Sequence, residues 1–462
     1  MEIIIQHFLE KVINLKKESL KKLNNINFLS DLTDNLNSQL MEFGREFTVN
    51  YLNELEELIY KSRERKEKYI SYQKDSEANH RKLITIFGEI EFSRRYYQEK
   101  ENNENKEYLL DKAIGISENQ RMLINVEENL LELASIKSYE FAGKKAAYDT
   151  IISKETVKNK LSELDFSNKI KENYEEKKEL PRLYIQADED HVALQSGGIA
   201  MPRLVTVFED NINGKLIGKK KFGGIYNGKI DDLWEEIATY LEDRYVTKKL
   251  TDVFIIGDGA SWIQTGIEWI LNSKYVSDTF HINKAIVAMT GGNKEYISKI
   301  REAIFELDFA KVKELEYEIL AEEMNFSKRK SMEKNLNYIL NIQEGIKNSI
   351  KYDLPGCSAE SDVSHVLSDR LSSRPLGWSK ENVDKMARLR IARANGENIR
   401  LITRNEKNIS EEKIIKQKEV NKMIHKETHI RDDGICYSIP EINYGEYEIR
   451  RKMKELISYK AV

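Results

Sequence analysis

The sequence predicts an α/β protein: a core of alternating strands and helices, interrupted by a helical insertion and preceded by a mainly helical N-terminal region. Three observations support this fold class. Residues 1–80 carry apolar side chains at helical spacing and contain no proline. Residues 179–283 alternate short apolar runs with amphipathic segments, and residues 284–354 return to a purely helical pattern. The pattern therefore indicates one mixed core with helical additions.

The N-terminal region has its clearest helical stripe in Leu40, Phe43, Phe47, Tyr51 and Leu55, which recur every three or four residues. Such a stripe predicts packing against another helix or self-association. Contact with DNA is the less favoured alternative.

The next region is predicted to combine a hairpin with a helix-turn-helix. Apolar residues that alternate around Gly88 predict two antiparallel strands. Residues 138–164 have the pattern of a helix, a short turn and a second helix, with Ser153 as the N-cap of the second. That helix carries Lys154 and Lys158, which could enter a DNA major groove. Plain helical packing is the alternative.

The central core begins with three strands and continues with alternating helices and strands. A hairpin turn is predicted at Asn213 and Gly214, and the apolar run that ends at Asp258 has the pattern of a buried central strand. The order of three strands, helix, strand, helix, strand is that of a ribonuclease-H-like fold. The segments are LYIQADEDHVALQ, RLVTVFED with NINGKLIGKKKFG, DDLWEEIATYLEDRY, TDVFIIGDGA, SWIQTGIEWIL and KYVSDTFHI.

A helical insertion follows the fifth core strand, with a polar break near Asn325. The core resumes at Cys357 with the helix SAESDVSHVLSDRLSS, for which Ser358 is the predicted N-cap. The predicted segments are therefore 1–80 (helical), 81–178 (hairpin and helical, DNA-binding), 179–283 with 355–400 (ribonuclease-H-like core), 284–354 (helical insertion) and 401–462 (C-terminal tail).

Composition and charge narrow the class of protein. The formal net charge is −4, so any contact with DNA must come from local basic patches. The two cysteines do not form the paired spacing of a zinc site, and no run approaches the roughly 20 apolar residues of a membrane span. We expect a cytoplasmic protein without a membrane partner, associated with the nucleoid when it binds DNA.

Two strand-end aspartates and one helix glutamate are the candidate catalytic and metal-binding residues. Asp188 ends the first strand and Asp258 the fourth, and these strands are neighbours in a ribonuclease-H-like sheet. Glu360 lies in the first turn of the helix after the insertion. Converging carboxylates repel one another unless cations lie between them, so we expect two Mg²⁺ or Mn²⁺ ions and phosphodiester chemistry. Asp190, on the same strand face, is the alternative to Asp188.

Further candidates surround these acids. Asp278 and His281 are expected to support the site through a hydrogen bond, with direct contact to DNA as the alternative. Residues 365–404 contain nine Lys or Arg against four Asp or Glu, which predicts contacts with phosphates. A solvated helix face is the alternative to that surface. The candidate DNA-binding residues are Lys154, Lys158, Arg370, Arg374, Arg388 and Arg390.

Four segments resemble a known family. YIQADEDHVALQ, IIGDGASWI, DTFHINKAI and GCSAESDVSHVLSDRLSSRPLGWS are similar to segments of the transposases of ISLre-type bacterial insertion sequences. That family was long catalogued as an uncharacterised protein family and is distantly related to the Mutator-type transposases. The similarity extends upstream through TIFGEIEFSRRYY, LLDKAIGI and SYEFAGKKAAYDTIISKETV, so it spans roughly residues 82–400.

The resemblance implies an active site of two aspartates and a glutamate, the DDE type, on a ribonuclease-H-like fold with a helical insertion before the glutamate. Many relatives carry cysteines near the segment RRYYQEKENNENKEYLLDKA, and this chain has none there. A zinc module at that segment is therefore not expected. The matching residues are Asp188, Asp258 and Glu360 for the triad, Asp278 and His281 for the acid-x-x-His signature of Mutator-like enzymes, and Arg370 for the basic residue on the glutamate-bearing helix.

The resemblance further implies a DNA transposase that cleaves the ends of its element and joins them to target DNA. Its expected partners are double-stranded DNA, as terminal inverted repeats and as target, and further copies of the same chain assembled on that DNA. A catalytically inactive DNA-binding protein derived from a transposase is the first alternative. A helical scaffold protein is the second.

Overall fold

The chain forms two compact units. The terminal unit contains the described residues up to Leu123 together with the C-terminal helix, and the central unit contains the described residues from Ile124 to Ile402. This boundary runs through the predicted region 81–178, because the hairpin lies in the terminal unit and the following helices lie in the central unit. The computed structural model describes residues 2–21, 25–72, 79–101, 106–166, 174, 176–226, 228–373, 377–399, 402 and 411–429.

Helices and strands both contribute to each unit. The strands are β1 (Tyr69–Ser71), β2 (His80–Thr85), β3 (Gly88–Ser93), β4 (Tyr97–Glu99), β5 (Lys106–Glu107), β6 (Arg182–Glu189), β7 (Val192–Ala193), β8 (Ile199–Ala200), β9 (Arg203–Phe208), β10 (Asp210–Ile212), β11 (Lys215–Ile217), β12 (Lys220–Gly224), β13 (Asp252–Gly257) and β14 (Ser273–Ser277).

The helices are α1 (Glu2–Lys21), α2 (Phe28–Lys61), α3 (Arg63–Lys68), α4 (Leu109–Ala113), α5 (Ile124–Ile136), α6 (Tyr139–Lys145), α7 (Lys154–Ser162), α8 (Ile230–Arg244), α9 (Ser261–Gln264), α10 (Gly266–Trp269), α11 (Thr279–Met289), α12 (Lys294–Phe305), α13 (Phe309–Glu322), α14 (Phe326–Asn341), α15 (Gln343–Lys351), α16 (Ala359–Val363), α17 (Asp369–Leu371), α18 (Lys380–Ala394) and α19 (Glu411–His429). A 3₁₀ turn spans Thr247–Lys249, and a π-helical turn spans Ser364–Ser368. Within the described part of the chain, every helix is too short or too polar to traverse a membrane.

The terminal unit is mainly helical, as the pattern of residues 1–80 predicts, although β1 departs from that pattern and pairs with β4. The predicted hairpin is confirmed, since β2 and β3 pair antiparallel immediately before and after a two-residue turn. Leu83 and Ile90 of this hairpin pack against Ile59 of α2 and Val420 of α19. The segment predicted as a C-terminal tail therefore contributes a helix to this core.

The central unit is built on a five-stranded sheet in the order β12-β9-β6-β13-β14. β12, β9 and β6 pair antiparallel, whereas β6, β13 and β14 are parallel. The predicted turn at Asn213 and Gly214 is confirmed: both residues have positive φ, and they join β10 to β11. Both parallel strands are reached through helical connections, as parallel pairing requires.

Both faces of the sheet are covered, so β6 is buried on either side. Leu183 and Ile185 face the larger core, which includes Trp234 of α8. Tyr184 faces a smaller aromatic cluster with Phe254 of β13. The smaller cluster lies beside the segment that leads into α16, and this segment therefore reaches the sheet edge where β6 and β13 end.

The helical insertion is part of the core. Met289, Ile300, Val312 and Ile339, from α11 to α14, are buried in the same hydrophobic cluster as the sheet. The predicted polar break is confirmed at Asn325, whose side chain accepts a hydrogen bond from the first turn of α14. Because the insertion packs directly on the sheet, it can fix the backbone at the strand ends.

Three local predictions are corrected by the structure. In KYVSDTFHI the strand ends at Ser277, because the Asp278 carboxylate accepts from the Phe280 N–H and starts α11. SWIQTGIEWIL forms two short helices that meet at Thr265 rather than one helix. The Ser358 side chain does not cap α16, because its hydroxyl is hydrogen-bonded to a glutamine of β6.

The predicted helix-turn-helix is partly confirmed. Ser153 caps α7, since its hydroxyl accepts from the Thr156 N–H at 3.1 Å. The connection from α6 is longer than the predicted short turn, because it spans residues 146–153. Gly143 allows this connection to return, because a Cβ there would lie 2.0 Å from the Ile152 carbonyl oxygen.

Candidate active site

Three neighbouring parallel strands carry an aspartate at their carboxyl ends. Asp188 lies near the end of β6, and Asp258 and Asp278 directly follow β13 and β14. Gly257 pairs with Ser277 in parallel register, so Asp258 and Asp278 are level. The register of β6 with β13, continued by two residues, likewise places Asp188 beside Asp258. Adjacent strands lie about 4.8 Å apart, so the three carboxyl groups share one edge of the sheet.

The backbone at Asp258 is held in place by its neighbours. Gly259 has φ +92°, and a side chain there would also collide with Ile342 of the insertion. The Asp258 carboxylate accepts from the Ala260 N–H at 2.9 Å. The main-chain carbonyl oxygen of Asp258 accepts from the Tyr338 hydroxyl at 2.7 Å. Only glycine meets both requirements at position 259, which explains the second glycine of the Gly-Asp-Gly sequence.

Asp278 and His281 form the hydrogen bond that the sequence predicts. Asp278 is buried; one carboxylate oxygen caps α11 at the Phe280 N–H, and the other lies 3.1 Å from His281 Nδ1. This hydrogen bond raises the pKa of His281, and the negative charges of Asp188 and Asp258 add to the effect against the opposing effect of burial. The imidazole is therefore oriented by one acid and lies within the field of two others.

Asp188 is electrostatically coupled to the other candidate acids. Burial raises the pKa of Asp188 to about 6, and the charges of Glu360 and Asp258 add to this rise. The hydrogen bond that its carboxylate accepts from the Glu189 N–H, at 2.8 Å, and the nearby His281 act in the opposite direction. Asp188 therefore lies within the electrostatic field of both Asp258 and Glu360 in the folded chain.

The helix that carries Glu360 is attached to the sheet through Gln186 of β6. The Gln186 amide donates to the Ser358 hydroxyl at 3.0 Å and to the Asp362 carboxylate at 2.9 Å. Its carbonyl oxygen accepts from the Ser358 N–H at 3.0 Å. These hydrogen bonds fix the first turn of α16, where Glu360 lies.

A buried lysine completes this attachment. Lys221 of β12 is 4% exposed and donates to the Asp362 carboxylate and to the Thr206 hydroxyl. Thr206 also donates to Asp362 at 2.8 Å. Burial lowers the pKa of Lys221, and Asp362 opposes that shift. Sequence reasoning missed these polar residues; the available signal was a second acid two residues after Glu360.

An open cleft of about 430 Å³ lies beside the acids. Burial raises the pKa of Cys357 in its wall to about 12, so that thiol is neutral. Within the described residues, no three Asp, Glu, His or Cys side chains converge closely enough to form a metal-binding group. The residues that line the cleft are Asp278, Phe280, Cys357, Ser358, Glu360, Ser361, Ser364 and His365.

Comparison with known proteins places this arrangement in a family. Residues 22–408 match a family described as an uncharacterised protein family, UPF0236. The chain belongs to UPF0236. UPF0236 proteins of Caldanaerobacter subterraneus subsp. tengcongensis are similar along most of their length. One is 39% identical over 402 residues, covering 85% of this chain and 84% of that relative. Another is 38% identical over 410 residues, covering 86% and 85%.

Two arginines predicted to bind DNA are structural in this UPF0236 chain. Arg370 is buried, donates to the Ala134 carbonyl and lies over the Trp378 ring. Arg390 is also buried and donates to carbonyl oxygens of α5 and of the π-helical turn, including His365. Guanidinium groups committed to interior carbonyls are unavailable to phosphate, so the prediction is corrected for both.

The other predicted basic residues lie closer to the surface. Arg388 is mostly buried and pairs with Asp384, which also makes it a poor phosphate ligand. Lys154 and Lys158 are exposed and pair with Glu140 of α6 and Glu155 of α7, respectively. Such exposed pairs are weak, so both lysines can exchange partners. Arg374 lies outside the described residues.

The same UPF0236 fold distinguishes Asp188 from its alternative. Asp190 lies beyond the end of β6, is buried, and accepts from the Ser372 hydroxyl at 2.8 Å. Asp188, in contrast, interacts with Asp258 and Glu360. The geometry therefore groups Asp188 with the other candidate acids and gives Asp190 a structural contact.

Proposed function

We propose that this UPF0236 protein is a DNA transposase of an insertion sequence that acts through Asp188, Asp258 and Glu360. The observation that carries the proposal is the position of these acids. Asp188 and Asp258 lie side by side at the ends of adjacent parallel strands. Glu360 lies on the helix that is hydrogen-bonded to the same sheet edge. Such uncompensated acids at one edge are typical of a site for divalent cations.

The order of elements supports a ribonuclease-H-like core as part of this proposal. Three antiparallel strands are followed by two parallel strands, with the first strand at the centre of the sheet. The helical insertion stands between the fifth strand and the helix that carries Glu360. This is the arrangement that the family resemblance implies.

The chemistry of the acids fits Mg²⁺ or Mn²⁺, because both ions prefer carboxylate oxygens. Asp188, Asp258 and Glu360 are the residues that would hold a pair of ions. Within the described residues, these side chains are not close enough to one another to form a metal-binding group. Binding of the ions therefore requires the three carboxylates to move closer to one another. Burial raises the pKa of Asp188, the negative charges of Glu360 and Asp258 add to that rise, and bound cations would offset these charges.

Bound ions would supply activation of the attacking oxygen and stabilisation of the leaving oxygen. In the cleavage step, a water oxygen attacks phosphorus at the element end, the bond to the 3′ oxygen breaks, and a 3′-hydroxyl is released. That hydroxyl then attacks a phosphodiester of target DNA, so one P–O bond forms as another breaks. The Asp278 carboxylate accepts from Nδ1–H of His281, which leaves Nε2 as the ring nitrogen that can take up or release a proton.

The names of the relatives provide independent support. One UPF0236 name joins eleven numbered designations from a single bacterium, and another joins four. We interpret each joined name as one protein sequence encoded at several places in one genome. Multiplication of one sequence within a genome is the behaviour of a mobile element.

The DNA partners are the terminal inverted repeats of the element and the target duplex. Lys154 and Lys158 are the predicted contacts that remain exposed. Because two element ends must be joined to one target, we propose that copies of the chain assemble on the DNA. A chain that cuts a single end at full rate as a monomer would contradict this assembly.

The test is cleavage of duplexes taken from both flanks of the coding sequence, with Mg²⁺ or Mn²⁺ and with EDTA. The wild type is expected to nick or join the DNA in a metal-dependent reaction, and Asp258→Asn to lose at least a hundredfold in rate. Asp243→Asn, an exposed acid of α8, is the matched control and retains activity.

Binding without cleavage in either metal would instead indicate a non-catalytic DNA-binding protein derived from a transposase. Absence of DNA binding would leave a scaffold role. Equal loss of activity in Asp258→Asn and Asp243→Asn would contradict the assignment of the site.

A further inference from the structure

The insertion ends in an exposed apolar tip. Met324, in the turn between α13 and α14, is 94% exposed, and Phe326, the first residue of α14, is 80% exposed. Single exposed apolar residues are common on protein surfaces, but these two flank one short turn at the end of a helical hairpin. The turn itself is ordered, since Asn325 caps α14 through the Lys328 N–H and its own N–H donates to Glu323.

Two lysines of α14 lie between this tip and the carboxylates. Phe326, Lys330, Lys334 and Tyr338 are spaced four residues apart along α14, so each neighbours the next on the helix surface. Lys330 and Lys334 are exposed and form no ion pair within the described residues. At the far end of the row, the Tyr338 hydroxyl donates to the carbonyl oxygen of Asp258.

α14 therefore sets a fixed distance between the exposed tip and the carboxylates. Met332, Leu336 and Ile339 anchor it in the hydrophobic core on the opposite side. Twelve residues separate Phe326 from Tyr338, which corresponds to about 18 Å at the rise of an α-helix. That length equals about five base pairs of B-form DNA at 3.4 Å each.

We propose that Met324 and Phe326 insert between base pairs of duplex DNA, while Lys330 and Lys334 contact the phosphates between the tip and the carboxylates. Apolar side chains that wedge into a base step, with basic residues on the adjacent backbone, are a known means of kinking DNA. The proposal rests on the proposed function for DNA as the substrate and for cleavage at the carboxylates. This proposal adds a position for the duplex along α14 and a kink in the DNA at the tip.

The experiment measures unstacking in EDTA, so its outcome does not depend on catalysis. Duplexes from the flanks of the coding sequence carry 2-aminopurine at one position at a time, and its fluorescence rises when the base is unstacked. With the wild type, we expect a rise at one step about five base pairs from the bond that is cut when metal is added.

Phe326→Ser is expected to lose most of this signal and to bind about tenfold more weakly. Phe305→Ser is the matched control: Phe305 is 73% exposed but is the last residue of α12, outside the hairpin of α13 and α14, and its replacement leaves signal and binding unchanged. Neither side chain is part of the core, so both variants should fold as the wild type does.

The lysines have a separate readout. Lys330→Gln combined with Lys334→Gln is expected to reduce the slope of log affinity against log salt by about two, because two phosphate contacts are lost. Lys347→Gln with Lys351→Gln, an exposed pair at the same spacing on α15, is the control and leaves the slope unchanged.

Metal-dependent cleavage without any 2-aminopurine signal would overturn the wedge and leave the proposed function intact. Equal effects of Phe326→Ser and Phe305→Ser would also overturn it. A change in self-association of DNA-free Phe326→Ser in sedimentation, with the DNA signal unchanged, would assign the tip to a protein contact instead. Failure of the wild type to bind the duplexes would overturn both proposals.

Discussion

Buried acids are treated differently in the two compact units. In the terminal unit, Asp111 accepts hydrogen bonds from two buried arginines, Arg81 and Arg94. In the central unit, three aspartates end neighbouring strands, and within the described residues no Lys or Arg forms an ion pair with them; the basic side chain hydrogen-bonded to one of them, Asp278, is His281. The first arrangement neutralises a charge within the fold. The second leaves negative charge in place, which costs stability and favours a cationic ligand.

Removal of the compensated acid is expected to have the largest effect. Asp111→Ala leaves Arg81 and Arg94 buried without their carboxylate, so the terminal unit should lose about 4 kcal/mol of unfolding free energy. Urea denaturation followed by circular dichroism measures this loss. Tryptophan fluorescence should not follow it, because the tryptophans are Trp234, Trp262, Trp269 and Trp378, all in the central unit. An unshifted circular-dichroism transition would contradict the comparison.

A buried glutamate without a hydrogen-bond partner provides the second test of how uncompensated acids affect stability. Glu316 of α13 is fully buried, neither carboxylate oxygen has a hydrogen-bond partner, and burial raises its pKa to about 8 from 4.5. The folded state therefore retains this proton more tightly than the unfolded state. Its stability contribution is complete below about pH 4.5 and is lost as pH rises toward 8, by about 4 kcal/mol.

Glu316→Gln should remove that loss. The measurement is urea denaturation of wild type and variant at pH 5 and pH 8, followed by tryptophan fluorescence. If both proteins lost the same stability between these pH values, Glu316 would not be the titrating group.

Asp188→Asn should change stability in the opposite direction from Asp111→Ala. The pKa of Asp188 is raised to about 6 from 3.8, so its ionised form disfavours the fold above that pH. In EDTA, the variant should be about 2 kcal/mol more stable than the wild type at pH 8 and no more stable at pH 4. Fluorescence-detected denaturation at both pH values tests this sign. Destabilisation at pH 8 would make Asp188 a structural acid like Asp111.

Metal addition should produce the smallest effect. Mg²⁺ or Mn²⁺ at ten times its dissociation constant would stabilise the central unit by about 1.4 kcal/mol. The shift should appear in the fluorescence transition of the wild type and vanish in Asp258→Asn. A shift of equal size in both proteins would place the ions elsewhere.

The sequence supported many of the local predictions because their causes are local. Helical spacing predicted the helices of the N-terminal region and of the insertion, and hydroxyl or amide caps marked Ser153 and Asn325. A glycine with positive φ marked the hairpin turn after Asn213. The prediction that Ser358 caps α16 failed, because its hydroxyl is hydrogen-bonded to Gln186, 172 residues earlier in the chain.

The basic residues show the same limit. Nine positive charges in residues 365–404 suggested a DNA-binding face. Arg370 and Arg390 instead turn inward, where they donate to carbonyl oxygens of α5 more than 200 residues away in sequence. A count of charges along the chain cannot distinguish a solvated arginine from a buried one, because burial depends on packing between distant elements.

By itself, the sequence determined the alternation of helices and strands, the Gly-Asp-Gly strand end, and Asp258 and Glu360 as candidate acids, since these follow from residue type and spacing. It left Asp188 and Asp190 as alternatives on one strand face, and the family resemblance favoured Asp188. Only the tertiary structure decided that Asp278 stands level with Asp258, that Lys221 and Asp362 hold the glutamate-bearing helix, and that the insertion supports Asp258 through Tyr338. Strand register and side-chain burial set these contacts, and both arise from pairings between segments far apart in the chain.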